Sequence, residues 1–107
     1  MDYTQAEKRE GLGIFQEEAA EVIQEASKIL RTGPDFCRRN SDTPNMRYLQ
    51  QEIADLTILL ELCIEMGVIE QMTQEEFAEY KVFKLNKLRE WSGLGFAIQR
   101  VQERNTF

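Results

Sequence analysis

Apolar residues fall at helical spacing along most of this chain. From Ile14 to Arg31 a seam runs through Phe15, Ala19, Val22, Ala26 and Ile29, in steps of 4, 3, 4 and 3, and Ile23 and Leu30 widen it. That period places one apolar stripe along an amphipathic helix. Gly33-Pro34 stops the helix, and Lys28 and Arg31 stand in its last turn, where the helix dipole favours cations. A second seam, Leu49, Ile53, Leu56, Leu60 and Cys63, repeats the same steps. Thr43 is the expected N-cap of that helix, Pro44 its first residue and Gly67 its stop. A third helix opens at Thr73-Gln-Glu-Glu76, a capping box, and runs to about Trp91, with Ser92-Gly93 ending it. Residues before Gly11 read as a short N-terminal helix, and those after Gly95 as a C-terminal helix or tail. Gly11-Leu-Gly13 and Gly93-Leu-Gly95 lack a phosphate-loop pattern and read as turns. No segment alternates strictly, so the expected fold class is all-α, in one domain over residues 1–107.

Between the first two helices lies a polar stretch, about Thr32 to Thr43, with Asp35, Arg38, Arg39, Asn40 and Ser41. A loop that long without an apolar period is often functional. Few, long helices cannot enclose a core in a single layer, so the 42% hydrophobic content predicts a helical bundle completed by homo-oligomerisation.

Composition removes several chemistries. The chain has no histidine, which excludes imidazole bases, Ser-His-Asp triads and His-ligated zinc. Two cysteines make neither a disulfide framework nor a four-thiolate knot; Cys63 sits on the seam and Cys37 has no activating base. Nineteen acids against 13 bases, net charge -6, argue against a nucleic-acid polymer as partner. The longest apolar run, Leu56 to Leu60, interrupted only by Thr57, is too short for a membrane span, and no signal-peptide pattern opens the chain, so a cytoplasmic location is expected.

The acids are not scattered evenly. Glu18-Ala-Ala-Glu21 lies on the first long helix and Glu52-Ile-Ala-Asp55 on the second. Each is a pair at i, i+3, one turn apart on one face. Each acid stands one residue before a seam residue: Ala19, Val22, Ile53 and Leu56 respectively. A lone E-x-x-E is usually solvated decoration on a helix. Two pairs with one offset on successive helices converge if the helices pack antiparallel. Four converging carboxylates raise one another's pKa unless a cation compensates. With oxygen ligands and no imidazole, the fitting ion is hard, Mg²⁺ or Mn²⁺, which keeps waters and accepts phosphate oxygens. Glu25 and Lys28 continue the first stripe in steps of 4 and 3.

On the third helix Phe77, Tyr80, Leu88 and Trp91 define an apolar face. Lys84 falls in its middle, and Lys81 and Lys87 near its edges. A lysine there either snorkels to water or meets an anion.

Glu18, Glu21, Glu52 and Asp55 in this arrangement resemble the MazG-like all-α nucleoside triphosphate pyrophosphohydrolases. Gln16 to Arg31, then Gln51-Glu-Ile-Ala-Asp-Leu56, looks like small bacteriophage-type members, and Lys84-Leu-Asn-Lys87-Leu-Arg89 with Trp91-Ser92 looks like their basic third helix. The resemblance covers about residues 12–92. One departure is the 30 residues between Glu21 and Glu52, slightly more than the family's usual spacing, with the excess in the polar loop. The resemblance implies a homodimer or homotetramer that hydrolyses a (deoxy)nucleoside triphosphate to the monophosphate and pyrophosphate, with a purine such as dGTP or dATP preferred. Glu18, Glu21, Glu52 and Asp55 would be the catalytic, Mg²⁺-holding set. Lys84, Lys81 and Lys87 would neutralise the phosphates, with Lys28 and Arg31 as further substrate-binding residues. Asn40, Asn45, Arg38 and Arg39 are candidates for contacting the base. Two other readings stand beside this one: hydrolysis of phosphoribosyl-ATP or a modified nucleotide, and an inactive helical module that binds protein.

Overall fold

A computed structural model describes residues 2–104 of the chain. It contains four helices: α1 Gln5–Thr32, α2 Asn45–Glu65, α3 Gln74–Trp91 and α4 Gly95–Arg104. Among the described residues the only β-type pairing is an isolated antiparallel bridge between Cys37 and Pro44. The all-α expectation is met. None of these helices is long and apolar enough to cross a membrane. Met1 and the end of the expected C-terminal helix or tail, 105–107, lie outside the described residues.

The chain divides into two compact units, with the boundary between Glu70 and Gln71. In the first, α1 packs along α2. A ladder of contacts makes the pair antiparallel: Tyr3 lies against Glu65, the Gly11 backbone against Met66, and Thr32 against Asn45.

Gly11 and Gly13 do not form a turn. α1 runs through both as one 28-residue helix, capped by Thr4 and Glu7 in a capping box that the sequence reading missed. Packing accounts for Gly11: a Cβ there would stand 2.4 Å from Met66 Cε. The missing Cβ lets the Met66 methyl and Cys63 Sγ come close to the α1 backbone.

The start of α2 also differs from expectation. Pro44, not Thr43, is the N-cap, and no side chain caps the helix. The loop does that work with its backbone: Asn45 N–H donates to Phe36 O at 2.9 Å and Met46 N–H to Pro34 O at 3.0 Å. These bonds satisfy donors that a helix start otherwise leaves open. They also fold the loop onto the end of the α1–α2 pair. Gly67, at φ 72°, ends α2 as expected.

The seam keeps Phe15, Val22 and Ile29 on α1 and Leu49, Leu56 and Cys63 on α2, but its alternate positions move back by one residue. On α1 the least exposed stripe is Gly11, Phe15, Glu18, Val22, Glu25 and Ile29; on α2 it is Asn45, Leu49, Glu52, Leu56, Leu59 and Cys63. Ile53 and Leu60, expected in the seam, are exposed, as are Ile23 and, at 87%, Leu30. These residues lie roughly 60–120° around their helices from the packing stripe, at 100° per residue. Equal rotation on two antiparallel helices points to the same side of the layer. Leu12, Ile23, Leu30, Met46, Ile53 and Leu60 therefore share one face. Glu21 and Asp55 are rotated the opposite way and share the other.

In the second unit the Thr73–Glu76 capping box starts α3 as expected, and Ser92 caps its end. α4 folds back on α3, with Arg89 donating to Gln102 Oε1 at 2.8 Å, and Ile98 is buried. The expected apolar face of α3 is not its covered one. Phe77, Tyr80 and Trp91 are exposed, and so is Lys84; the half-buried positions are Lys81, Leu85 and Leu88. The covered stripe is rotated away from the aromatic one.

Candidate functional site

Glu18 and Glu52 stand inside the α1–α2 seam, opposite each other. Asp55 stands one turn from Glu52 on the exposed edge of α2. Each of these three acids offers a carboxylate oxygen, and the three oxygens lie within 4.8 Å of one another. Glu21, one turn beyond Glu18 on the exposed edge of α1, neighbours both Glu18 and Glu52. The structure thus brings together three of the four acids that matched offsets singled out, Glu18, Glu52 and Asp55, and leaves Glu21 beside them.

The seam shift explains the geometry. Two carboxylates occupy positions that packing would give to leucines, so they meet across the interface. The other two rise from the same side of the layer and close the cluster from the solvent edge.

The electrostatics are those of an unfinished site. Glu18 Oε2 and Glu52 Oε2 are buried with no hydrogen-bond partner. Burial and then the charges of Glu21 and Asp55 raise the Glu18 pKa. The Glu52 carboxyl is pushed up to about 7, first by its hydrogen bond with Glu21, then by burial and by the charges of Glu21, Asp55 and Glu18. Every neighbour acts in the direction that a cation would reverse. Orphaned oxygens in an all-oxygen set fit a hard divalent ion.

Two turns along the same seam the chemistry changes sign. Glu25, only 7% exposed, is paired with Lys28 at 3.3 Å and with Arg38 from the loop. Arg38 also stacks 3.9 Å over the Tyr48 ring, whose hydroxyl meets Ser41 Oγ at 3.1 Å. Beside this cluster a pocket of about 330 Å³ opens between the end of α1 and the start of α2. Lys28 and Arg31 line it, together with Arg38 and Asn45.

The remaining candidates fall out as follows. Asn45 is 1% exposed, and its amide donates to Thr32 Oγ1 and Gly33 O. Asn40 is exposed and adopts φ 62° in the loop, where Ser41 N–H closes a turn onto Arg38 O. Asparagine tolerates that left-handed conformation better than most residues, so Asn40 shapes the loop. Arg39 is exposed. Lys81, Lys84 and Lys87 stand on α3 in the second unit, where Lys87 Nζ lies 6.0 Å from the Phe83 ring centroid.

Phe36 and Tyr48 were not singled out in the sequence. Tyr48 had a signal: it precedes the seam residue Leu49, the same offset that marks Glu52 and Asp55. Phe36 had none, because its position depends on how the loop folds back.

No protein-family model, curated protein or solved structure matches the chain.

Proposed function

We propose that this chain is a Mg²⁺-dependent nucleoside triphosphate pyrophosphohydrolase of the MazG-like all-α kind, releasing a nucleoside monophosphate and pyrophosphate. The observation that carries the reading is the convergence of Glu18, Glu52 and Asp55, with two of their oxygens buried and unpartnered.

Glu18, Glu52 and Asp55 would hold the metal, with Glu21 completing the set. Mg²⁺ bound there supplies positive charge to the triphosphate oxygens and acidifies water for attack on phosphorus. Glu21, outside the tight trio on the exposed edge of α1, would be the carboxylate placed to accept the proton of the attacking water. Lys28 and Arg31 follow Glu21 on the same side of α1, two and about three turns on, and extend positive charge along the groove.

Homo-oligomerisation, as dimer or tetramer, belongs to the same proposal. Among the described residues the only buried apolar side chains are Cys63 and Ile98, whereas a whole apolar face of the α1–α2 layer is exposed. Such a face usually marks an association surface. Sedimentation reads it directly.

The deciding experiment is pyrophosphate release from a panel of deoxynucleoside triphosphates, with Mg²⁺ and with EDTA. Metal-dependent release is expected. No release from any nucleotide sinks the proposal, and release unaffected by Glu52→Gln/Asp55→Asn sinks the site.

A further inference from the structure

The loop between α1 and α2 is held at its neck by backbone and at its tip by side chains. Asn45 N–H to Phe36 O and Met46 N–H to Pro34 O close the neck, and the bridge between Cys37 and Pro44 extends it. Beyond the bridge come Arg38, Arg39, Asn40, Ser41, Asp42 and Thr43. None of these is a hydrophobic residue, so burial of apolar surface does not hold the tip down. A segment of that kind opens locally at low cost. Two bonds are internal to it: Ser41 N–H donates to Arg38 O at 3.0 Å and Thr43 N–H to Ser41 Oγ at 3.0 Å. Among the described residues its side-chain ties to the helices run through Arg38 and Ser41. Arg38 pairs with Glu25 of α1 and stacks 3.9 Å over the Tyr48 ring of α2, and Ser41 Oγ meets the Tyr48 hydroxyl at 3.1 Å.

Of these ties the one at Arg38 is the stronger. It joins two full charges, one of them on a nearly enclosed carboxylate, whereas Ser41 and Tyr48 join two neutral hydroxyls. The same pair is also built to part without stranding a charge. When Arg38 leaves, Glu25 keeps Lys28 at 3.3 Å, and Arg38, whose side chain is already 32% exposed, passes into water. A buried carboxylate with a single partner would forbid that exchange. Glu25, with one partner from its own helix and one from the loop, permits it.

We propose that residues 38–43 form a strap that hinges at the Cys37–Pro44 bridge, with the Arg38–Glu25 pair as its latch. Arg38 also lines the pocket of about 330 Å³, facing Lys28 and Arg31 of α1. Opening the strap therefore carries away one wall of that pocket, and the latch sets how often its Lys28 end is open to solution. The strap uses no residue of the acid cluster, so it stands independently of the pyrophosphohydrolase reading.

The test reads opening at single bonds of the whole chain, in wild type, Arg38→Gln, Glu25→Gln and the double variant. Limited trypsin cleavage is scored at the Arg39–Asn40 bond, which all four chains share. Amide hydrogen exchange followed by NMR compares Ser41 and Thr43 in the strap with Asn45 and Met46 at the neck. Each single variant should speed cleavage, and exchange at Ser41 and Thr43, by about tenfold, while Asn45 and Met46 keep their wild-type rates. The double variant should be no faster than the faster single, because both changes break one latch. Wild-type rates in both single variants, acceleration that multiplies in the double, or equal acceleration at Asn45 and Met46 would each overturn it. Arg38→Gln alters a part-exposed loop side chain and leaves Lys28 to serve Glu25, so it keeps the fold even where Glu25→Gln does not, and its strap-to-neck comparison then decides the question alone.

Discussion

Glu18 and Glu25 stand two helical turns apart on one stripe of α1, and both face α2. Their surroundings are opposite. Glu25 is enclosed by Lys28 and Arg38, and its charge is answered inside the chain. Glu18 is enclosed by Glu21, Glu52 and Asp55, and its charge is not. A buried carboxylate is costly unless it is paired. The fold met that requirement at Glu25 by bringing a loop arginine over the seam. At Glu18 it added further acids. The first arrangement is complete as a structural clamp on the loop, whereas the second is stable only with a proton or a cation from outside.

The largest way to break this contrast is to remove charge at the acid cluster. Glu52→Gln/Asp55→Asn should lower pyrophosphate release by at least about a thousandfold, as expected when a charge-stabilising group is lost. The same change should raise the metal-free melting temperature, because it removes repulsion. Loss of both activity and stability would mean that the acids support the fold instead.

The opposite experiment is at the paired site. Glu25→Gln leaves Arg38 and Lys28 without their counter-charge in a part-buried setting. Side chains that are 32% and 36% exposed soften the penalty, to about 2 kcal/mol, read by chemical denaturation. A neutral effect would show that the loop is held by its backbone bonds to α2 alone.

Metal should distinguish the two sites by linkage. At a concentration a hundred times its dissociation constant, Mg²⁺ should stabilise the wild-type chain by about 2.7 kcal/mol. Glu52→Gln/Asp55→Asn should lose that gain and Glu25→Gln should keep it. Calorimetric scans with and without the ion check this.

The same contrast can be read in pH. The Glu52 carboxyl titrates at about 7 in the folded chain against 4.5 when unfolded. Between those values the folded state holds the extra proton. Metal-free stability should therefore fall as pH rises from about 4.5 to about 7, and level off above. Glu18, also raised, adds in the same direction. The slope should flatten in Glu52→Gln and in saturating Mg²⁺, and persist in Glu25→Gln.

Much of this was legible before any coordinates. Helical period gave the helices, and the Thr73–Glu76 box gave the start of α3 to the residue. The matched offsets of Glu18, Glu21, Glu52 and Asp55 were enough to group them, because i, i+3 spacing and antiparallel packing are local rules. The exact seam was not legible: with Ile53 and Leu60 available, periodicity prefers the apolar register. The structure instead places Glu52 inside, and the apolar residues on a face that a single chain leaves open. Gly11 misled for a related reason, since a glycine that breaks a helix and one that admits Met66 look the same in sequence.

The sequence by itself determined the all-α class, the start of α3, the sign of the charge and the pairing of the acids along each helix. Each of these follows from neighbours within a turn or two. Only the tertiary structure decided that Glu18 Oε2 and Glu52 Oε2 have no partner, that Arg38 returns from the loop to Glu25, and that the Asn45 amide ties the start of α2 to Thr32 and Gly33. Those facts depend on which atoms of distant segments come within about 3 Å of each other, the reach of a hydrogen bond. Residue spacing along a helix does not carry that information.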